Sequence, residues 1–150
     1  MSEGSGPIFE IHRDDGYTLS TDRARLDLPA IHRYLSKESY WARGRTYEVV
    51  CQATSNSLCF GVYAPGGAQA GLARVVTDYA TFAWLCDVFI LAPHRGRGLG
   101  KWLVQTIVDY PPLAGVRRLL LATSDAHDLY RRYGFRSLSA PEKLMELPRK

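Results

Sequence analysis

Ile90-Leu91-Ala92-Pro93-His94-Arg95-Gly96-Arg97-Gly98-Leu99-Gly100-Lys101 is the stretch on which the reading of this chain turns. The apolar run that enters it, Leu85 to Leu91, has the character of a buried strand, and it stops at Pro93. Three glycines then alternate with Arg97 and Leu99, and an amphipathic segment runs from Lys101 to Tyr110. Strand, glycine-rich turn and helix start together make an anion site. The first N–H groups of a helix have no intrahelical partner, and the helix dipole puts partial positive charge beside them. Glycine lets a bulky phosphate approach the backbone closely. Arg95, Arg97 and Lys101 add positive charge at the same place.

Two familiar phosphate loops do not fit this stretch. A dinucleotide-binding turn needs G-x-G-x-x-G early in a βαβ unit, with an acidic residue about 20 positions later. Here the spacing is G-x-G-x-G, and the turn follows a run of apparent hairpin strands. A P-loop ends in Gly-Lys followed by Ser or Thr, whereas Gly100-Lys101 is followed by Trp102. A third pattern does fit. Arg95-x-x-Gly98-x-Gly100 resembles the R/Q-x-x-G-x-G/A signature of the GNAT superfamily of acetyl-CoA-dependent N-acetyltransferases. Further along, Ala126-x-x-Leu129-Tyr130-Arg131-Arg132-Tyr133-Gly134-Phe135 resembles that superfamily's A-x-x-L-Y-x-x-x-G-F segment. The resemblance is clearest from Gly71 to Leu147.

The resemblance implies an α/β (α+β) fold, with a mixed, mostly antiparallel central sheet flanked by helices. It implies transfer of an acetyl group from acetyl-CoA to a primary amine of a small molecule or protein. The alternative on the same fold is a non-catalytic acyl-CoA-binding or regulatory module. By the same resemblance, Arg95, Gly96, Arg97, Gly98, Leu99, Gly100 and Lys101 cradle the pyrophosphate of coenzyme A. Val88, Phe89 and Ile90 form the strand edge along which the pantetheine arm lies like an added strand. Thr123 stands where many relatives carry an asparagine that contacts coenzyme A. Tyr130 matches the residue that often protonates the leaving thiolate, and an ordinary phenol is protonated at neutral pH.

Other roles stay open at the level of sequence. Some family members place a basic glutamate where this chain has Trp84. Asp87 is the only acid on that strand. It is a candidate base or water anchor, or else a structural carboxylate bonded to a loop; strand alternation puts it opposite Val88 unless a bulge re-aims it. His94 and His127 are candidates for surface or substrate contacts. Tyr40 and Trp41, in the loop Ser39 to Arg45, are candidates to wall the amine site or else simply to cap the edge of the core, and Arg43 or Arg45 are candidates to pair with an acidic acceptor. Tyr79 and Phe82 are weaker candidates for the same wall.

Bulk properties agree with this class. A chain of 150 residues, 46% hydrophobic and 23% charged, suits one folded core. No apolar run approaches the roughly 20 residues of a membrane span, so no membrane partner and a cytoplasmic location are expected. The net charge of +4 is spread over several pairs of basic residues rather than one run. That favours a small polyanionic ligand over nucleic acid as partner. Cys51, Cys59 and Cys86 lie among apolar residues without metal-ligand spacing, so no metal is expected. A homodimer is common in the resembling family, but this sequence carries no marker for it.

The expected division is a flexible tail at residues 1–10 and, as the resemblance implies, one acetyltransferase domain at 11–150. Within the domain the expected strands are Tyr17–Ser20, Leu58–Tyr63, Ala70–Val76, Thr81–Leu91 and Arg117–Ala122, closed by Phe135–Leu138 and Lys143–Leu147. Helices are expected from Asp27-Leu28-Pro29, over Thr46–Ser55 (inner side Val49, Val50, Ala53), over Gly98–Tyr110, and from an Asp125 cap through Ala126–Tyr133.

Overall fold

Asp27 and Pro29 start the first helix as their chemistry dictates. The Asp27 carboxylate accepts from the Ala30 N–H, and Pro29 lies in the first turn, where a missing N–H costs nothing. This helix, α1 (Leu28–Lys37), buries Ala30, Ile31, Tyr34 and Leu35. The next, α2 (Tyr47–Ser55), is capped by Thr46 through the Val49 N–H. Its buried positions are Val50 and Thr54, while Val49 is half exposed, so the inner face is turned from the expected one. The Thr54 hydroxyl pays its desolvation by donating to the carbonyl of Val50 at 2.9 Å.

The computed structural model describes residues 7–149. Six strands form one sheet in sequence order: β1 (Glu10–His12), β2 (Thr18–Ser20), β3 (Leu58–Tyr63), β4 (Gln69–Thr77), β5 (Ala83–Ile90) and β6 (Leu119–Leu121). All neighbours are antiparallel except β5 and β6, which run parallel. The crossover between those two carries α3 (Leu99–Val108), and the chain after β6 enters the short α4 (His127–Arg131). Each sheet face has its own core. Leu99, Leu103, Val104 and Ile107 of α3 pack with Leu19, Phe60, Val62 and Leu85 on one face. Ile31, Tyr34, Leu35 and Val50 pack with Cys59, Leu72 and Phe89 on the other. Each such buried aliphatic contributes about 1.5–3 kcal/mol.

Three further expectations are corrected. First, β1 precedes the expected first strand. Residues 1–6 of the expected tail lie outside the described residues, but Glu10 opens β1 and the Phe9 ring meets Tyr110 edge-on at 5.1 Å. Second, Phe135–Leu138 and Lys143–Leu147 are not strands. The Phe135 ring is spent on Tyr130, Pro141 begins a 3-10 turn, and Leu144, Met145 and Leu147 stay exposed. Third, Asp125 does not cap α4. The Thr123 hydroxyl accepts from the N–H groups of Ala126 and Asp125 instead, at 3.0 and 3.3 Å.

Candidate active site

The site begins with one extra residue in β5. Arg74 pairs with Cys86 and Leu72 with Phe89, so Ala73 faces both Asp87 and Val88. This is a β-bulge, and it reverses the alternation of the strand. Leu85 belongs to the α3-side core and Phe89 to the α1-side core, although two-residue periodicity alone would put both on one face. At the bulge Asp87 takes a φ of +51°, a left-handed conformation that aspartate tolerates better than most residues.

Three bonds hold it there. Asp87 Oδ2 accepts from Arg74 Nε at 2.9 Å and from Arg45 Nη1 at 2.8 Å, and Oδ1 accepts from Trp41 Nε1 at 2.8 Å. The carboxylate is 2% exposed. Burial alone would raise its pKa, but Arg74, Trp41 and Arg45 outweigh that and hold it below the ordinary carboxylate value. A carboxylate this well satisfied is a poor proton acceptor. Of the two readings open in the sequence, the structural carboxylate is the one this geometry favours.

Beyond Leu85 the parallel pairing ends. Ala83, Trp84 and Leu85 face Leu119, Leu120 and Leu121, and among the described residues the edge of β5 from Cys86 onward has no strand partner on that side. The Leu91 N–H is bonded to Ala70 on β4, so by alternation Val88 and Ile90 direct their backbone groups towards the open edge. Arg95 Nε already donates to the Ile90 carbonyl at 2.9 Å. Phe89 points elsewhere: its ring stacks on Tyr34 at 4.1 Å, and Leu72 is its register partner.

The divergence opens a cavity of about 530 Å³. Trp84, Cys86, Asp87 and Val88 form one wall, and residues 121–126 with Tyr130 form the other. Tyr40, Trp41 and Arg45 close one side. Tyr40 Oη accepts from the Ser124 N–H at 3.0 Å, so the loop between α1 and α2 is tied to both walls, here and at Asp87. Tyr130 is 8% exposed, and burial pushes its phenol up to about 12. Burial likewise pushes the Cys86 thiol up to about 11, which keeps it unreactive. A second cavity of about 460 Å³, between α3, β6 and residues 133–139, is lined by neither the glycine turn nor Tyr130.

At the far end of β5 the glycine turn has the conformation that its residues suggest. Gly96 and Gly98 take φ of +82° and +76°, and Gly98 is the N-cap of α3. A side chain at Gly96 would meet nothing within 4 Å, so the space over the turn is open. Leu99 plants the helix start in the core. The loop between β1 and β2 braces the turn. Arg13 Nη2 donates to the Arg97 carbonyl at 2.9 Å, and the Tyr17 hydroxyl is hydrogen-bonded to His94 Nδ1 at 2.7 Å. His94 is therefore part of the brace. No hydrogen bond engages the Lys101 side chain among the described residues, and the Arg97 guanidinium lies 5.8 Å from the Tyr17 ring.

Some candidates stand apart from the cavity. Arg43 reaches only the Lys37 carbonyl, and Tyr79 and Phe82 lie in an exposed turn built by Asp78. His127 lines a smaller neighbouring hollow with Tyr130. Thr123 lines the cavity, with its hydroxyl committed to the turn before α4. Sequence reading missed Arg74 and Arg13. A charge inside the apolar run Gly71 to Val76 was a usable signal for Arg74, because a charge in a central strand needs a buried partner. Arg13 had no local signal. Among the described residues no group of three His, Cys, Asp or Glu side chains could hold a metal ion, and no helix is long and apolar enough to cross a membrane.

Comparisons with known proteins agree with this architecture. The model of the acetyltransferase (GNAT) family matches residues 23–135. A candidate acetyltransferase of Gibberella zeae is 33% identical over 136 residues, which cover 76% of this chain and 75% of that protein. A solved candidate acetyltransferase of the GNAT family from Xanthomonas campestris superposes with a TM-score of 0.85 at 48% identity, covering 88% of this chain and 92% of that one. A GNAT family acetyltransferase from Elizabethkingia anophelis, solved with acetyl-CoA bound, shares the fold at a TM-score of 0.59 and 17% identity, covering 81% of this chain and 77% of that one.

Proposed function

The chain belongs to the GNAT acetyltransferase family, and from that premise we propose that it transfers the acetyl group of acetyl-CoA to a primary amine of a small molecule or protein. The observation that carries this reading is the divergence of β5 from β6. It leaves an open strand edge with the glycine turn at one end and Tyr130 in the opposite wall.

The residues present fit the cosubstrate. The turn from Arg95 to Lys101 offers left-handed glycines, open space, free helix N–H groups and three basic side chains to a pyrophosphate. The backbone of Val88 and Ile90 offers strand-like hydrogen bonds to an extended amide-bearing arm. Acetyl-CoA supplies the activated acetyl group. In this reading the Val88 N–H, at the bulge, polarises the thioester carbonyl oxygen. Tyr130 Oη keeps its proton at every working pH because burial raises its pKa; it gives that proton to the departing sulfur, and the proton shed by the attacking nitrogen passes through solvent in the open cavity to restore it. Asp87 does not touch the reacting atoms. It is a positioning residue that ties Trp41 and Arg45 to the bulge. Tyr40 and Trp41 wall the acceptor side.

Release of free thiol from acetyl-CoA that depends on an added amine tests the reading. Binding of acetyl-CoA with no thiol release for any amine in a broad panel would leave an acyl-CoA-binding module instead.

A further inference from the structure

Arg45 and Arg74 bring two guanidinium groups to one wall of the cavity, and among the described residues Asp87 is the only carboxylate either one touches. Both share its Oδ2, while Trp41 occupies Oδ1. Arg74 turns its Nη1 to the Ser57 hydroxyl at 2.9 Å. Arg45 Nε and Nη2 make no hydrogen bond among the described residues. Their side chains are only 21% and 15% exposed, so their charge is weakly screened. The balance on this wall is two positive charges against one negative. The other acid lining the cavity, Asp125, is exposed, sits on the opposite wall and among the described residues pairs with no arginine.

One surplus charge in a half-buried wall has two effects on an incoming amine. A cationic group beside the amine is repelled, which disfavours polyamines, and an anionic group is paired. The same field favours the neutral amine over the ammonium, and the neutral amine is the form that attacks. Because the surplus is one charge, it matches a monoanion better than a phosphate, which carries nearly two. Arg45 is also held in place beforehand, by Asp87 through its side chain and by the Ala42 carbonyl through its backbone N–H. A preset guanidinium loses little freedom when it pairs with a planar carboxylate.

We propose that the acceptor is an amine that also carries a carboxylate, recognised by Arg45 with Arg74 behind it. This rests on the acetyltransferase reading above. Two sources share this chemistry, a free amino carboxylate and a peptide with an acidic residue near its amine, and the assay separates them. One arm compares the ω-amino carboxylates from glycine to 5-aminopentanoate with their amides. A second compares a tetrapeptide with aspartate at position two with its asparagine version, and spermidine is the cationic control. Rates are referred to the neutral amine, since the carboxylate alters the amine's own basicity.

The expected result is a kcat/KM at least about tenfold higher for the carboxylate member in one arm, with spermidine poorest. Arg45→Gln should erase the preference, chiefly through KM, and Arg45→Lys should restore part of it. Acetyl-CoA titration of each variant in a calorimeter reports whether fold and cosubstrate slot survive. No carboxylate preference in either arm, or turnover of spermidine equal to or better than the carboxylates, by a protein that binds acetyl-CoA overturns the proposal and leaves the acetyltransferase reading standing. Failure to bind acetyl-CoA at all would instead remove that reading.

Discussion

At the scale of single residues, Asp87 and Tyr130 are both buried ionisable groups, and their surroundings drive them in opposite directions. Asp87 is kept charged by two guanidiniums and an indole N–H; Tyr130 is kept neutral by burial. Asp87→Asn leaves two half-buried arginines short of a counter-charge. It should cost about 3 kcal/mol, read as a lower urea midpoint at unchanged m. The pH dependence follows from the direction of the shift. The folded carboxyl lies below the ordinary value of 3.8, so the unfolded chain takes up the proton first as pH falls. The stabilisation is present above that value and drains away as pH drops through it towards the folded pKa. In an acid titration of stability, the Asn variant should show a flatter acid limb than the wild type; identical limbs would mean that the network contributes nothing.

Tyr130→Phe should lower kcat by about a hundredfold, the lower range for loss of a general acid, with acetyl-CoA affinity nearly unchanged. With its phenol pushed up to about 12, the wild-type residue adds no alkaline limb to the kcat profile in the usual assay range. Equal turnover of Tyr130→Phe and wild type across pH would remove the acid role. Tyr130 was legible from its motif. Asp87 was left with two readings, base or structural carboxylate, because its partners come from positions 41, 45 and 74, and only the bulge brings them to one point.

At the scale of elements, the glycine turn and the open edge of β5 act as one unit. Gly98 holds a left-handed φ as the N-cap of α3, and a side chain there strains the cap and stands where an anion would lie. Gly98→Asp, which adds negative charge as well, should weaken acetyl-CoA binding by at least about a hundredfold in a calorimeter. Retained affinity would sink the role of the turn. Helix α3 was readable because its inner stripe Leu99, Leu103 and Ile107 repeats at helical spacing and nothing opposes it. Strands β3, β4 and β5 were readable for the matching reason, being apolar runs bounded by turns. The C-terminal segment misled because apolar residues such as Leu144 and Leu147 look like strand positions, yet strand formation also needs a partner edge, and Pro141 diverts the chain first. Strand β1 escaped notice because a three-residue strand carries almost no periodic signal, and with it the hairpin to β2, which was itself read over Tyr17–Ser20. The bulge entered the sequence reading only as a condition that would re-aim Asp87, because the position of one extra residue is invisible without the opposing strand.

At the scale of the whole molecule, a net charge of +4 has a definite destination in this account. Arg95, Arg97 and Lys101 stand around the glycine turn, and Arg45 and Arg74 stand on the acceptor wall. Raising ionic strength from roughly 0.05 to 0.5 M should therefore weaken acetyl-CoA binding several-fold without abolishing it, because the exposed side chains are screened and the backbone N–H groups are not. Affinity that does not change with salt would place the basic side chains away from the ligand. The overall architecture was the most legible feature of all, since two motifs in order carry the resemblance that implies a mixed, mostly antiparallel sheet flanked by helices; the parallel pairing of β6 with β5 came only with the structure.

The most direct test of the central claim is calorimetric titration of the purified protein with acetyl-CoA, alongside dephospho-CoA and the Gly98→Asp variant. The account predicts binding in the micromolar range by the wild-type protein, a weaker signal with dephospho-CoA, and loss of binding in the variant. A well-folded wild-type protein that takes up no acetyl-CoA would contradict it.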